Sequence, residues 1–462
     1  MESFAVYIES FGCQMNKLDT ALVASALQEA GFGLAAGMKD ADVVLINTCS
    51  VRQHAEDRVL SHLGHLKHLK EQRPDLVVGV IGCMAQRLGE KLLEHGAVNI
   101  VCGPAQISQI ADLIRQALAQ NAKQIAVTER IRQPLVPEDG ALDDFELAHS
   151  SSDGQIRGQA FVRVMRGCNY FCTYCVVPYV RGPEACRPPE AVLEQVQRLA
   201  DEGIKQVTLL GQTVNSYKHK NGEKTYCLAD LLDRAARVAG IEWVRFVTSY
   251  PADEYYAEIL QVMADSPKVC RYLHIPAQSG SDRILKAMNR HYTAAHYLEL
   301  IDKARAVVPD IAVAGDFIVG FPGETEDDFQ ATVDLTRKAR YKNCFVFKYS
   351  PRPGTAADKH LADSIADEVK QRRIIKLLAV QEQISGELSQ AFLGREVTVL
   401  VEGPSKKAHV NPADGNDHPQ LVARTATDHI VVFNGPVSLA GQLAKVRITR
   451  TSPLTLFGEL PA

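Results

Sequence analysis

The sequence predicts an α/β protein in three parts: an N-terminal parallel-sheet α/β domain over 1–128, a central partial (β/α)6 barrel over 158–392, and a small antiparallel β-barrel over 393–462, with a linker at 129–157. Three observations lead there. Short β-branched runs alternate with stretches of helical period over the first part. The alternation resumes near residue 158 with six further strand-like runs. After Gly394 the helical period disappears, leaving strand-like segments separated by Gly and Pro.

In the first part FAVYIES, DVVLINT and LVVGVIG read as strands. LDTALVASALQEAG, EDRVLSHLGHLKHLKEQ and ISQIADLIRQALAQ have helical apolar spacing. Such alternation implies a parallel sheet. Residues 129–155 turn acidic and rich in Pro, Gly and Ser, the composition of a linker or a long ordered loop. In the second part the strands are GQAFVRVMRG, KQVTLLGQ, WVRFVTSY, RYLHIPAQ, IAVAGDFIVG and CFVFKYS, with helices such as PEAVLEQVQRLADEG and TEDDFQATVDLTRKARY between them. Six βα units are too few for the usual eight-fold barrel, so an open-sided barrel is expected, with function at the C-terminal strand ends. A helical stretch over 363–392 leads into the third part, where REVTVLVEG, PQLVARTAT, DHIVVFNG and QLAKVRITRTS read as strands.

Composition bounds the function. The chain has 462 residues, 46 % apolar and 23 % charged, as in ordinary globular proteins. No apolar run approaches a membrane span and MESFAVYIES lacks the pattern of a secretory leader, so a cytoplasmic protein without a membrane partner is expected. The net charge of −4 argues against broad electrostatic capture of nucleic acid, leaving local basic patches. The eleven cysteines are odd in number, which disfavours a disulfide framework and favours metal binding or catalysis.

Cys13, Cys49 and Cys83 each lie just beyond a predicted strand of the first domain. The carboxyl ends of parallel strands share one sheet edge, so these residues could converge as metal ligands. The competing reading is three buried structural thiols. Cys102 also follows a strand-like run and is either a fourth ligand or a bystander. In MRGCNYFCTYCVVP, Cys168, Cys172 and Cys175 form a C-x3-C-x2-C loop after a strand. Thiolates ligate iron–sulfur clusters. Structural zinc normally takes four protein ligands, so three thiols in one loop suit a four-iron cluster with one iron open to a small molecule. Tyr170, Phe171 and Tyr174 are expected to shield it. Later strand ends offer a cofactor pocket: Gly211, Gln212 and Asn215, then Ser249, then Gln278 and Arg290, then Asp316 and the phrase GFPGET. Each of these could instead be a helix cap or turn residue, and GFPGET reads as a tight turn opening a helix.

With both cysteine sets in view, the whole chain resembles the methylthiotransferase family of the radical S-adenosylmethionine superfamily. The resemblance rests on the three dispersed cysteines, the C-x3-C-x2-C loop, a terminal barrel like a TRAM domain, and the phrases FGCQMN, NTCSVR, MRGCNYFCTYCVVPYVRG, LLGQTVNSY, QSGSDRILKAMNR and YSPRPGTAA. GCQMN is closer to the branch acting on isopentenyladenosine in tRNA than to the threonylcarbamoyl-adenosine or ribosomal-protein aspartate branches. Three positions depart from the family pattern: Cys186 stands where Ser is usual, Tyr250 where His is usual, and Thr213 where Asn is common.

The resemblance implies two 4Fe-4S clusters and S-adenosyl-L-methionine. Cys168, Cys172 and Cys175 would hold the cluster that binds S-adenosylmethionine and yields a 5′-deoxyadenosyl radical. Such a radical is the physical route to an unactivated adenine C2–H bond. Cys13, Cys49 and Cys83 would hold a second cluster whose open iron carries the sulfur. One S-adenosylmethionine would methylate that sulfur and another would generate the radical. Implied partners are a tRNA anticodon stem-loop carrying isopentenyladenosine and an electron donor such as flavodoxin or ferredoxin, with the enzyme a monomer. Gly211, Gln212, Asn215, Ser249, Gln278, Arg290 and Asp316 are the expected S-adenosylmethionine contacts. Residues 393–462 hold seven Lys/Arg against six Asp/Glu, so a basic RNA face must come from arrangement, with Arg395, Arg424, Lys445, Arg447 and Arg450 as candidates. Two other readings are a methylthiotransferase of a different substrate and a non-catalytic iron–sulfur RNA-binding protein.

Overall fold

The structure is a computed structural model that describes residues 4–50, 53–120, 122–128, 141–150, 157–406 and 418–461. The first sheet is parallel throughout, in the order β2-β1-β3-β4-β5-β6. Its strands are β1 (Ala5–Phe11), β2 (Gly33–Leu34), β3 (Val43–Thr48), β4 (Val77–Gly82), β5 (Ile100–Cys102) and β6 (Gln124–Ala126). Every residue of β3 and β4 is buried, because helices cover both faces. Val43 and Leu45 pack on one side with Leu18 and Leu22 of the helix Gln14–Glu29. Val44 and Ile46 pack on the other with Val59 and Leu63 of the helix Gln53–Gln72. The chain therefore leaves β1 and β3 toward opposite faces, which opens a crevice beyond their carboxyl ends.

The central arch holds β7 (Gln159–Arg163), the short antiparallel pair β8 (Met165–Arg166) and β9 (Ala185–Cys186), β10 (Gln206–Leu210), a hairpin of β11 (Lys218–Asn221) and β12 (Lys224–Cys227), β13 (Trp243–Val247), β14 (Tyr272–His274), β15 (Ala312–Val319) and β16 (Asn343–Lys348). Two three-stranded parallel sheets, β7-β10-β13 and β14-β15-β16, run on into one another. Val244 donates to the Lys268 carbonyl at 2.8 Å and Cys270 donates to the Val244 carbonyl at 2.9 Å. The six predicted strands thus form the open-sided barrel. Val207, Leu209, Val244 and Phe246 face the outer helices, where Val192, Val196 and Leu199 recur at helical spacing. The alternate residues Gln159, Gln206 and Arg245 hydrogen bond side to side at 3.2 and 2.9 Å. GFPGET does open a helix: Thr325 caps Glu326–Ala339 in a capping box with Asp328.

The C-terminal barrel closes in the order β17-β18-β19-β21-β20. Its strands are β17 (Glu396–Pro404), β18 (Gln420–Thr425), β19 (Ile430–Asn434), β20 (Leu443–Thr451) and β21 (Thr455–Glu459). Four were predicted. The fifth, β21, pairs antiparallel with β20 and parallel with β19, so a barrel read as wholly antiparallel contains one parallel pairing.

Two junctions tie the parts together. The first uses the helix Ala141–His149, which lies inside the segment read as a linker; 129–140 and 151–156 fall outside the described residues. Its Glu146 carboxylate is fully buried among Arg163, Arg166 and Arg187, and Asp19 pairs with Arg163 at 2.9 Å. Burial alone would raise the Glu146 carboxyl, but the three guanidinium groups hold it at about 2. The second junction seats the barrel on the arch. Trp243, Cys270 and Leu400 pack together. Arg245 donates to the Thr425 and Ala426 carbonyls, and Lys342 donates to the Asp428 carbonyl at 2.6 Å. No helix among the described residues is long and apolar enough to cross a membrane.

Candidate iron–sulfur and cofactor site

All three dispersed cysteines stand at the crevice edge of the first sheet. Cys13 caps the helix that follows β1, Cys49 follows β3, and Cys83 opens the helix Cys83–Leu88 after β4. Cys49 donates its amide to the Phe11 carbonyl at 3.0 Å, which sets it beside Cys13. Between β1 and Cys13, a Cβ on Gly12 would lie 2.8 Å from the Cys49 Cβ, so only glycine permits this approach. Asn16 locks the arrangement: its Nδ2 donates to Asn47 Oδ1 at 3.0 Å, and Asn47 returns a bond to the Asn16 carbonyl at 2.9 Å. The hydrogen bond to Cys49 is the main cause that brings the Cys13 thiol down to about 6, against burial and with help from Arg181 and the helix N-terminal amides. Cys102 does not join them. Its thiol turns to the Gln106 carbonyl at 3.3 Å, and burial holds it protonated, at about 12.

The second set lies in one loop beyond β8. Cys168 donates its amide to the Gly182 carbonyl at 3.0 Å, and Cys175 donates to the Cys172 carbonyl at 3.0 Å. Burial raises the Cys168 and Cys175 thiols, and the neighbouring thiols of the loop push the same way. Two side chains reach their sulfurs. Thr213 Oγ1 lies 3.3 Å from Cys168 Sγ, and Arg290 Nη1 donates to Cys172 Sγ at 3.4 Å. Arg290 lies over the Tyr250 ring, 4.4 Å from its centroid, and Tyr250 stacks on Tyr170 with centroids 3.7 Å apart. The departures at 213 and 250 therefore sit directly in this site. Tyr174 packs with Ile284, Met288 and Phe321. Phe171 does not shield the loop: it is 57 % exposed and meets Tyr179 edge-on.

The strand-end residues divide. Gln212 Oε1 is buried without a hydrogen-bond partner among the described residues, as an atom awaiting a ligand would be. His274 Nε2 and Asp316 Oδ1 form a pair at 3.0 Å. Ser249 adjoins the Tyr256 hydroxyl. Gln278 adopts φ +69°, a strained conformation for a residue with a side chain. Arg290 belongs to the cysteine loop rather than to open space. Asn215 is committed within the chain: its amide holds both the N–H and the carbonyl of Tyr250 at 2.8 Å. Gly211 admits protein rather than ligand, since a Cβ there would lie 2.6 Å from Met165 Cγ. Cys186 stands apart from both sets, with its sulfur accepting from the Lys218 amide at 3.5 Å.

Sequence reasoning missed Arg181, His274 and Thr213 as parts of the site. The signal for Arg181 was its place in VVPYVRG, a charge directly after an apolar turn. That turn joins the two cysteine sets: Cys83 packs with Val176, the residue after Cys175, and with Val180. No three His, Cys, Asp or Glu side chains among the described residues converge on one metal ion. A polynuclear cluster needs no such point, because each thiolate binds a different iron. The donor set fits that group: no disulfide ties up any of the cysteines, and Arg181 and Arg290 supply positive charge beside them.

On the C-terminal barrel, Arg395, Lys445, Arg447 and Arg450 are exposed, with Lys445 paired to Glu396 at 3.0 Å and Arg450 over the Phe457 ring. Arg424 is bound inward to Glu402 and Asp428 at 2.8 and 3.2 Å.

Three domain families match the chain: the Uncharacterized protein family UPF0004 over 5–103, the Radical SAM superfamily over 162–336 and the TRAM domain over 390–460. Among similar proteins, the tRNA-2-methylthio-N(6)-dimethylallyladenosine synthase of Rhodopirellula baltica is 43 % identical, covering 98 % of this chain and 95 % of its own. That of Thermoanaerobacter sp. (strain X514) is 42 % identical over 98 % of this chain and 92 % of its own. That of Moorella thermoacetica is 40 % identical over 98 % of this chain and 97 % of its own. Among solved structures, the radical S-adenosylmethionine methyltransferase TsrM of Kitasatospora setae, with cobalamin and a 4Fe-4S cluster bound, shares the fold at TM-score 0.53 and 16 % identity, over 77 % of this chain and 74 % of that one.

Proposed function

We propose a function from one premise: the chain belongs to the tRNA-2-methylthio-N(6)-dimethylallyladenosine synthase family. It is a radical S-adenosylmethionine methylthiotransferase that converts N6-isopentenyladenosine beside the tRNA anticodon into its 2-methylthio derivative. S-adenosylmethionine and a 4Fe-4S cluster are its cofactors. The observation that carries the reading is the pair of thiol triplets, at the strand ends of two domains, meeting where Cys83 packs on Val176.

In this reading Cys168, Cys172 and Cys175 hold the cluster that binds S-adenosylmethionine, and Cys13, Cys49 and Cys83 hold a second cluster. Bound there, these groups supply a carbon radical for the C2–H bond and the sulfur that replaces the hydrogen. The chain's own work is placement and exclusion of water. Arg290 and Thr213 hold Cys172 and Cys168 in fixed directions. The Tyr170–Tyr250–Arg290 stack closes one side of the loop. Gln212, Ser249, Gln278 and the His274–Asp316 pair line the strand ends where S-adenosylmethionine and the flipped adenine would meet. The exposed cations of the C-terminal barrel hold the tRNA backbone. The enzyme works as a cytoplasmic monomer supplied by an electron donor such as flavodoxin or ferredoxin.

The test is mass spectrometry of tRNA nucleosides from a strain lacking this chain and any paralogue. Loss of the 2-methylthio-isopentenyl nucleoside, restored by the gene, is expected. Its persistence rules the assignment out. A different missing methylthio product moves the chain to another substrate. Absence of 5′-deoxyadenosine on anaerobic incubation with S-adenosylmethionine and reductant leaves only the non-catalytic reading.

A further inference from the structure

Arg181 belongs to one domain by its backbone and to the other by its side chain. Its own amide donates to the Val177 carbonyl at 2.8 Å, and the next residue, Gly182, accepts from the Cys168 amide at 3.0 Å. The backbone here is therefore part of the central cysteine loop. The guanidinium crosses to the first domain. Nε donates to Cys83 Sγ at 3.2 Å, and Nη2 donates to Asp19 Oδ2 at 2.9 Å. The other Asp19 oxygen faces Arg163 Nη1 at 2.9 Å. Asp19 is 1 % exposed and Arg181 is 7 % exposed, so water does not screen these contacts. A guanidinium fixed on two sides by a planar fork is held far more rigidly than a lysine would be. Hydrogen bonds to ligating sulfurs and nearby positive charge stabilise the reduced form of an iron–sulfur cluster.

We propose that Arg181 is a positioning residue for the N-terminal cluster, holding Cys83 at a fixed place against the central loop and raising the reduction potential of the cluster bound by Cys13, Cys49 and Cys83. The proposal rests on the reading that these three cysteines bind a cluster, and the experiment separates the two.

The full-length chain with Cys168, Cys172 and Cys175 changed to Ala isolates the N-terminal site. After anaerobic reconstitution, iron and sulfide are counted and the cluster is titrated by electron paramagnetic resonance. The parent is expected to hold about four irons, one cluster's worth. Added to that background, Arg181→Gln is expected to shift the potential to more negative values and to change the spectrum. Arg181→Lys, which keeps the charge but loses the fork, is expected to shift less in the same direction. Where Arg181→Gln binds no iron, the lysine variant carries the comparison alone. A parent without iron overturns the cluster reading and this proposal together. A loaded parent whose potential and spectrum survive both substitutions overturns this proposal and leaves the cluster reading standing.

Discussion

At the residue scale, the site separates side chains that act on bound groups from side chains that hold the scaffold. Changing Cys13, Cys49 or Cys83 to Ala is expected to abolish methylthiolation while S-adenosylmethionine cleavage persists. Changing Cys168, Cys172 or Cys175 is expected to abolish cleavage itself; 5′-deoxyadenosine formation measured beside the tRNA product separates the outcomes. Asn215 belongs to the scaffold. It joins the end of β10 to the end of β13 through both polar groups of Tyr250, and Asn215→Ala leaves the buried Tyr250 N–H unpaired, while the carbonyl keeps the Ala252 amide and the Tyr256 hydroxyl. The expected cost is about 2 kcal/mol, a Tm lowered by roughly 4–8 °C for a domain of this size; an unchanged Tm would contradict the role. What the sequence disclosed here follows from the same division. Spacing singled out the loop of Cys168, Cys172 and Cys175, whereas for Cys13, Cys49 and Cys83 it left buried structural thiols as an equal reading, and only the family resemblance joined them into a second set. Arg181 and Thr213 were not legible, because their partners lie 98 and 45 residues away and local spacing carries no trace of such pairings.

At the element scale, strands buried on both faces were legible because nothing but apolar β-branched runs survives there, as in β3 and β4. The strand β21 was not, since a five-residue run after Ser-Pro has too little pattern and owes its state to closing the barrel. The helix Ala141–His149 was hidden by its acidic composition, which serves the buried arginines rather than solvent. Glu146→Gln removes the fully buried carboxylate that the three arginines share, leaving Asp19 on Arg163 and Asp143 on Arg166 and Arg187, at an expected cost of roughly 3 kcal/mol, and calorimetry of the variant checks it. The two junctions also respond differently to acid. His429, at the barrel junction, is lowered to about 3, chiefly by burial and then by Lys342. Its unfolded value is about 6.5, so the unfolded chain takes up the proton first. The stability that His429 contributes is present above about 6.5 and is lost as pH falls toward 3. For Glu146 the window runs from its unfolded value near 4.3 down to about 2. Acidification is therefore expected to loosen the barrel junction before the linker helix. Hydrogen exchange followed from about pH 7 downward reads the order: protection at Thr425–His429 should fall before protection at Ala141–His149. Simultaneous loss, or the reverse order, is the opposing result, and His429→Gln should flatten the upper window.

At the scale of the whole molecule, the C-terminal barrel poses the question of whether it is a detachable RNA module. A module that merely carries charge would leave the rest intact when removed. The packing argues otherwise. Leu400 of the barrel is fully buried against Trp243 and Cys270 of the arch, and Arg245 and Lys342 reach its loop carbonyls. Gly158, just before β7, meets the Gly441 backbone so closely that a Cβ there would lie 2.6 Å from the Gly441 carbonyl oxygen. Truncation after residue 392 would expose an apolar patch at the amino ends of the arch strands, take the carbonyl acceptors from both Nη groups of Arg245, which keeps only its bond to Gln206, and remove Asp428 from Lys342. The shortened chain is thus expected to melt at lower temperature and to aggregate, even in assays without tRNA. By contrast, alanine at Arg395, Arg447 and Arg450 together should leave Tm near the parent value, weaken tRNA binding, and reduce the slope of log affinity against log salt by roughly 0.7 for each phosphate no longer neutralised. If the truncated chain kept its Tm while the triple variant kept its salt slope, the barrel would be neither a wedge under the arch nor a grip on RNA. The structure requires it to be the first, and the exposed cations on its free side fit it for the second.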